Sequence, residues 1–102
     1  MNQSALVNVL QPEWDRPDGF FSKLRNGDFS ASKGTELLEL IRQLDLAEEE
    51  PLLPDLIRNL WYLPLFCGWQ LERVQEEGGA TAGLNRFVDE LTSILEEKLG
   101  VP

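Results

Sequence analysis

The chain has no histidine, one cysteine and one methionine. Without histidine, the commonest general base and the commonest metal ligand are missing, and so is every Ser–His or Cys–His nucleophile pair. A single cysteine excludes an internal disulfide and gives no sign of an oxidising compartment. The glycines are scattered apart from Gly78-Gly79, and no Lys-Ser/Thr follows them, so no phosphate-cradling loop is present. Basic residues are scarce, 9 against 18 acidic ones, for a formal net charge of −9. That balance repels phosphate backbones and anionic membrane surfaces, which argues against nucleic-acid and membrane partners. It suits a basic protein partner through complementary fields, and it also keeps a small domain soluble. A long apolar run is missing too. The uncharged stretch between Arg58 and Glu72 is broken by Pro64 and falls short of the roughly 20 apolar residues a membrane span needs. The first ten residues carry no basic start and no long apolar core, unlike a secretion signal. The expectation is a cytoplasmic protein.

What is present is enough to fold. An apolar content of 42% over 102 residues argues against disorder and for one domain, residues 1–102. Its centre is Leu52–Gly79. The middle of that stretch, Leu60 to Trp69, carries no charge and holds two of the three tryptophans, the only tyrosine and the only cysteine. A segment apolar on every side predicts a buried central helix, from about Asp55 to Glu77. Leu56, Leu60, Leu63, Cys67, Leu71 and Val74 line one face, and Ile57, Trp61, Leu65 and Trp69 a second. Pro64 removes a backbone donor and predicts a kink or division near Tyr62-Leu63, and Pro54 fits the first turn. Gly68 costs helix stability, which points to a closely approaching neighbour helix. Gly78-Gly79 stops the helix.

Around this centre, Leu84, Phe87, Val88, Leu91, Ile94, Leu95 and Leu99 predict an amphipathic helix over 84–99. After a polar connector over Asp28–Gly34, Leu37, Leu40, Ile41 and Leu44 predict another over 36–44, with Thr35 as its cap. Residues 20–26 read as a short helix ended by a left-handed Gly27, with an Asn26-Gly27 hairpin as the competing reading. Asp15 or Asp18 is placed to cap its start. Residues 1–13 are weakly patterned and admit a short helix or an extended arm. Trp14 folds that segment onto the core or stands exposed as a partner anchor. The sum is an all-α fold: a small bundle of about four helices around a kinked central apolar helix.

Little chemistry remains. Cys67 lies in the apolar segment with no base nearby and reads as a structural thiol. The pairs Glu72/Glu76 and Asp89/Glu96 are the only arrangement resembling a two-carboxylate hydrolase, but no apolar setting separates their pKa values. They read as solvated helix faces. Glu48-Glu49-Glu50 lacks the alternating spacing and central glycine of a calcium loop. Arg25, Arg58 and Arg73 read as structural partners of carboxylates. The expectation is a non-enzymatic chain with no cofactor and no metal.

Two stretches carry a resemblance. Pro17-Asp18-Gly19-Phe20-Phe21 with Leu24-Arg25, Gly27 and Phe29, followed by Trp69-Gln70-Leu71-Glu72-Arg73-Val74 and Gly78-Gly79, resembles small acidic immunity proteins of bacterial toxin–immunity systems, contact-dependent inhibition and polymorphic toxins among them. The resemblance implies a cognate toxin domain, bound and blocked in the cytoplasm of the producing cell. Immunity proteins use unrelated surfaces, so it carries over no site residues. The charge pattern supplies candidates for partner contact instead: Glu48, Glu49, Glu50, Asp89, Glu90, Glu96 and Glu97, with Trp14 as an aromatic anchor. The alternative is a structural or regulatory helical module, in the form of a homodimer. Trp61, Phe66 and Trp69 are more aromatic surface than one small core absorbs, and the excess becomes an interface.

Overall fold

The computed structural model describes residues 1–102. Six helical segments follow one another: α1 (Gln3–Asp15), α2 (Phe20–Leu24), α3 (Ala31–Arg42), α4 (Pro54–Leu60), α5 (Leu63–Glu76) and α6 (Ala82–Leu99). They group as four helices, two of them bent, so the expected all-α bundle of about four helices holds. α6 packs against α3 on one side and α5 on the other, while α1 lies against α2, α3 and α4.

The N-terminal stretch is a helix rather than an arm. Asn2 caps it by accepting from the Ala5 amide at 2.8 Å, and Leu6 and Leu10, one turn apart, are fully buried. The helix runs through Pro12 to Asp15. Local patterning is weak there because two leucines are all this helix contributes to the innermost core.

α2 forms as expected, and no hairpin is present. The backbone turns back at Gly27, which has φ +83°. A side chain at Gly27 would meet the Arg73 carbonyl as well as a forbidden backbone region, since this turn lies on the end of α5. Neither Asp15 nor Asp18 caps α2. Asp18 pairs with Arg16 at 3.2 Å, and the Phe20 amide donates to Glu13 Oε1 at 3.0 Å. Gly19 is packed against the Glu13 backbone, which brings the Glu13 side chain, rather than the nearer aspartates, over the helix start.

α3 begins five residues before the expected position. Ser30, not Thr35, is the cap, accepting from the Lys33 amide at 3.3 Å, and the Thr35 hydroxyl donates to the Ala31 carbonyl inside the helix. Gly34 sits in this first stretch because α6 crosses there: a Cβ would lie 3.1 Å from the Phe87 ring. The glycine that signals a connector in the sequence serves a helix crossing in the fold.

The central helix divides at Trp61-Tyr62, with Pro64 in the first turn of α5, as the missing proline donor requires. Leu56, Leu60, Leu63, Cys67 and Val74 are buried, and Leu71 is half-buried. Gly68 departs from expectation, since nothing lies within 4 Å of where its side chain would be. No helix of the chain approaches there. Gly68→Ala should therefore raise stability by about 1 kcal/mol, because it adds helix propensity without a clash. Urea unfolding followed by circular dichroism measures this, and a loss of stability would show that the position is crowded.

All nine aromatic residues join in one chain of ring contacts. It runs from Phe29 and Phe87 through Phe20 and Phe21 to Trp14, which stacks on Phe21 at 4.3 Å and meets Phe66 edge-on at 4.8 Å. From Phe66 it continues through Tyr62 to Trp61 and Trp69. One end is core and the other is surface.

Candidate interaction surface

The second face of the central segment is not covered. Ile57, Trp61, Leu65 and Trp69 recur every four residues along α4 and α5, and they are 44%, 58%, 49% and 61% exposed. This overturns the expectation that the Leu52–Gly79 segment is buried on every side. Of the three aromatics counted as surplus, Phe66 goes inside and both tryptophans stay out. The reason is packing geometry. The backs of α4 and α5 are taken by α1 and by α2 and α6, and no further helix remains to lie over the front.

Two buried polar side chains hold this face in place. Gln3 in α1 donates to Glu50 Oε2 (2.7 Å) and the Pro51 carbonyl (2.9 Å) and accepts from the Leu53 amide (2.7 Å), clamping the connector that leads into α4. Asn59 donates to Gln11 Oε1 (3.1 Å) and the Asp55 carbonyl (2.8 Å), fixing α4 to α1. α6 then brings Leu99 alongside. Leu52, Leu56, Ile57, Leu60, Trp61 and Leu99 enclose a wholly apolar cleft of about 220 Å³ at the α4 end of the stripe. Tyr62, half-buried, touches both tryptophan rings, with centroids at 5.4 and 5.6 Å, and orients them. Exposed, contiguous and pre-oriented aromatic area of this kind marks interaction sites.

The acidic candidates are placed differently. Asp89, Glu90 and Glu97 line one shallow depression on α6 together with Arg42, whose guanidinium lies 3.5 Å from Glu90 and 2.6 Å from Glu39. Glu90 is thus partly neutralised, while Asp89, Glu96 and Glu97 have no basic partner. Glu48, Glu49 and Glu50 lie on the connector between α3 and α4, where Glu50 accepts from Gln3 and Glu49 adopts φ 64°. The α6 group and the connector group belong to separate elements and do not form one continuous site. Of the two readings of Trp14, the structure bears out the one that folds the entry segment onto the core: it is half-buried and stacked in the aromatic chain rather than standing exposed. Arg25 lies over the Trp14 and Phe66 rings at 5.6 and 5.4 Å, whereas Arg58 and Arg73 pair with Asp55 and Glu76 as expected. The sequence already separates Ile57, Trp61, Leu65 and Trp69 into a face of their own. Leu52 and Leu99 carry no such signal, because only tertiary packing brings them together.

The largest concavity, about 320 Å³ between α1 and α3, is lined by Glu13, Arg16, Asp18, Lys23, Asp28 and Lys33, whose charges largely pair within it. No group of three or more carboxylates or thiols is set to hold a metal ion. No helix is long and apolar enough to cross a membrane. Comparison with protein families, curated proteins and solved structures finds no match.

Cys67 is buried, and loss of hydration pushes its thiol up to about 12. It should resist alkylation in the folded protein at mildly alkaline pH and react quickly once denaturant exposes it. The same shift makes stability depend on pH. Below pH 9 the thiol is protonated folded or unfolded and changes nothing. Between about 9 and 12 only the unfolded chain ionises, so stability falls as pH rises through that window. Cys67→Ala should flatten that part of the pH profile, and an unchanged slope would assign it to other groups.

Proposed function

We propose that this chain is a non-enzymatic immunity protein that binds and neutralises a cognate bacterial toxin domain in the cytoplasm. The observation that carries the reading is the pre-oriented Trp61–Leu65–Trp69 stripe with its apolar cleft, on a chain of net charge −9. Burying large aromatics at the centre of an interface supplies most of its affinity, and a strong opposite field speeds encounter. The division of labour differs from the one drawn from charge alone: the stripe holds the partner, and the unpaired carboxylates, Glu48, Glu49, Asp89, Glu96 and Glu97 among them, steer a basic one.

The test is co-expression with the toxin domain encoded by the neighbouring gene. The chain should protect the cells and co-purify with the toxin, and association should slow as salt rises. A chain that neither protects nor binds would overturn the reading.

A further inference from the structure

The stripe is not the same at its two ends, and the difference selects its occupant. At the α4 end lies the apolar cleft closed by Leu99. At the other end the same helical face continues into charged residues, since Glu72, Arg73 and Glu76 stand three, four and seven residues beyond Trp69. Glu72 is exposed with no basic partner, and Glu76 has only Arg73, at 3.8 Å. Glu76 and Glu77 also crowd the C-terminal turn of α5, where the helix dipole is already negative and a cation is favoured. With Arg73 as its one cation against Glu72, Glu76 and Glu77, this end of α5 carries an excess of negative charge.

A second copy of the chain does not meet that need. An antiparallel two-fold pairing lays Glu72 and Glu76 of one copy on the apolar cleft of the other, where the one cation of α4, Arg58, is already paired with Asp55 at 2.7 Å. A parallel pairing sets carboxylates against carboxylates. Strand addition is equally poorly served, because the chain is helical throughout and offers no sheet edge. A helix matches a surface whose side chains rise every four residues.

Resting on the reading of the stripe as a protein-binding face, we infer that its occupant is an amphipathic, basic helix of the partner. Its apolar side chains enter the Leu52–Ile57–Trp61–Leu99 cleft, and a lysine or arginine lies over Trp69 within reach of Glu72 and Glu76. Ile57 to Trp69 spans about 18 Å at the helical rise, so three turns of the partner helix cover it. A cation over an indole face gains from the ring quadrupole as well as from the carboxylate.

The experiment uses a designed amphipathic Leu/Lys peptide of about 18 residues, long enough to cover the stripe. Its controls are the same composition shuffled to remove the apolar face and a Leu/Glu counterpart. Labelled-peptide anisotropy and tryptophan emission report binding to the full chain. The Leu/Lys peptide should bind and shift the emission to the blue, and the controls should bind at least about tenfold more weakly. The double substitution Glu72→Lys, Glu76→Lys should weaken binding about tenfold or more. Asp89→Lys, Glu97→Lys makes the same change in net charge on α6 and should have far less effect. Trp61→Ser with Trp69→Ser should remove the emission shift, since both exposed rings lie under the peptide. Equal binding of the shuffled or acidic peptide, or equal loss in the two charge variants, overturns the inference. So does concentration-dependent dimerisation in sedimentation that Trp69→Ser abolishes. If the peptide fails while a toxin domain is still held through Trp61 and Trp69, the helical occupant is wrong and the proposed function stands. If the peptide binds as described and no toxin is held, the reverse applies.

Discussion

Phe21→Ala should destabilise the protein by about 3–5 kcal/mol, the range for emptying a well-packed phenylalanine site. Phe21 is 1% exposed and is the largest fully buried side chain. Its ring touches Trp14 at 4.3 Å, Phe20 at 5.1 Å and Phe66 at 6.2 Å, and so joins α1, α2 and α5 in one contact. Removing it leaves a void that three elements line and none fills, because their backbones are held by Gly19, packed against Glu13, and Gly27, packed against α5. Domains of this size are stable by about 5–15 kcal/mol, so the variant sits near the unfolding threshold. Thermal unfolding should drop by about 15 °C or more. The near-ultraviolet signal of Trp14 should weaken with it, since its stacking partner is lost. A shift below about 1 kcal/mol in urea unfolding would show that the aromatic chain does not bear the core.

Substitution at the other end of that chain should do the opposite. Trp61→Ser with Trp69→Ser should change stability by no more than about 0.5 kcal/mol per site, as exposed positions do. The same pair should cost partner binding about 2 kcal/mol or more per tryptophan, or roughly 30-fold each, mostly through faster dissociation. Replacing Asp89, Glu96 and Glu97 should act chiefly on the association rate and its salt dependence. A measurement needing no partner supports the contrast: acrylamide should quench Trp61 and Trp69 readily and Trp14 poorly, given their exposures. If the double variant unfolds like Phe21→Ala, the stripe is structural and the proposed role for it fails. If it keeps full affinity, the binding surface lies elsewhere.

These two aromatic ends show which parts of the molecule were legible beforehand. Periodicity placed α6 within two residues of its observed start, because Leu84, Phe87, Leu91 and Ile94 repeat a helical face and that face is buried. Pro64 marked the division of the central helix and Gly27 the left-handed turn, since each follows from the backbone of a single residue. Elsewhere the deciding atoms lie outside the residue's own helix. Gly34 looked like loop punctuation, and only Phe87 of α6 explains it. Glu13 displaced the expected aspartate caps because Gly19 packs on its backbone. Between a core anchor and an exposed one, the contacts with Phe21 and Phe66 decide for Trp14 in favour of the core.

Helix identity, the break at Pro64 and the excess of negative charge thus follow from local chemistry: spacing, ring closure and residue counts act within a few bonds or over the whole chain at once. Which of the two apolar faces of Leu52–Gly79 turns inward is a different kind of question. Either face offers enough apolar area to be buried, and the choice depends on how many helices are left to cover them. α1, α2 and α6 close over Leu56, Leu60, Leu63, Cys67 and Val74, and the chain has no element left for Trp61, Leu65 and Trp69. Burial is a property of neighbours rather than of the residue, so the exposed stripe emerges only when the helices are assembled.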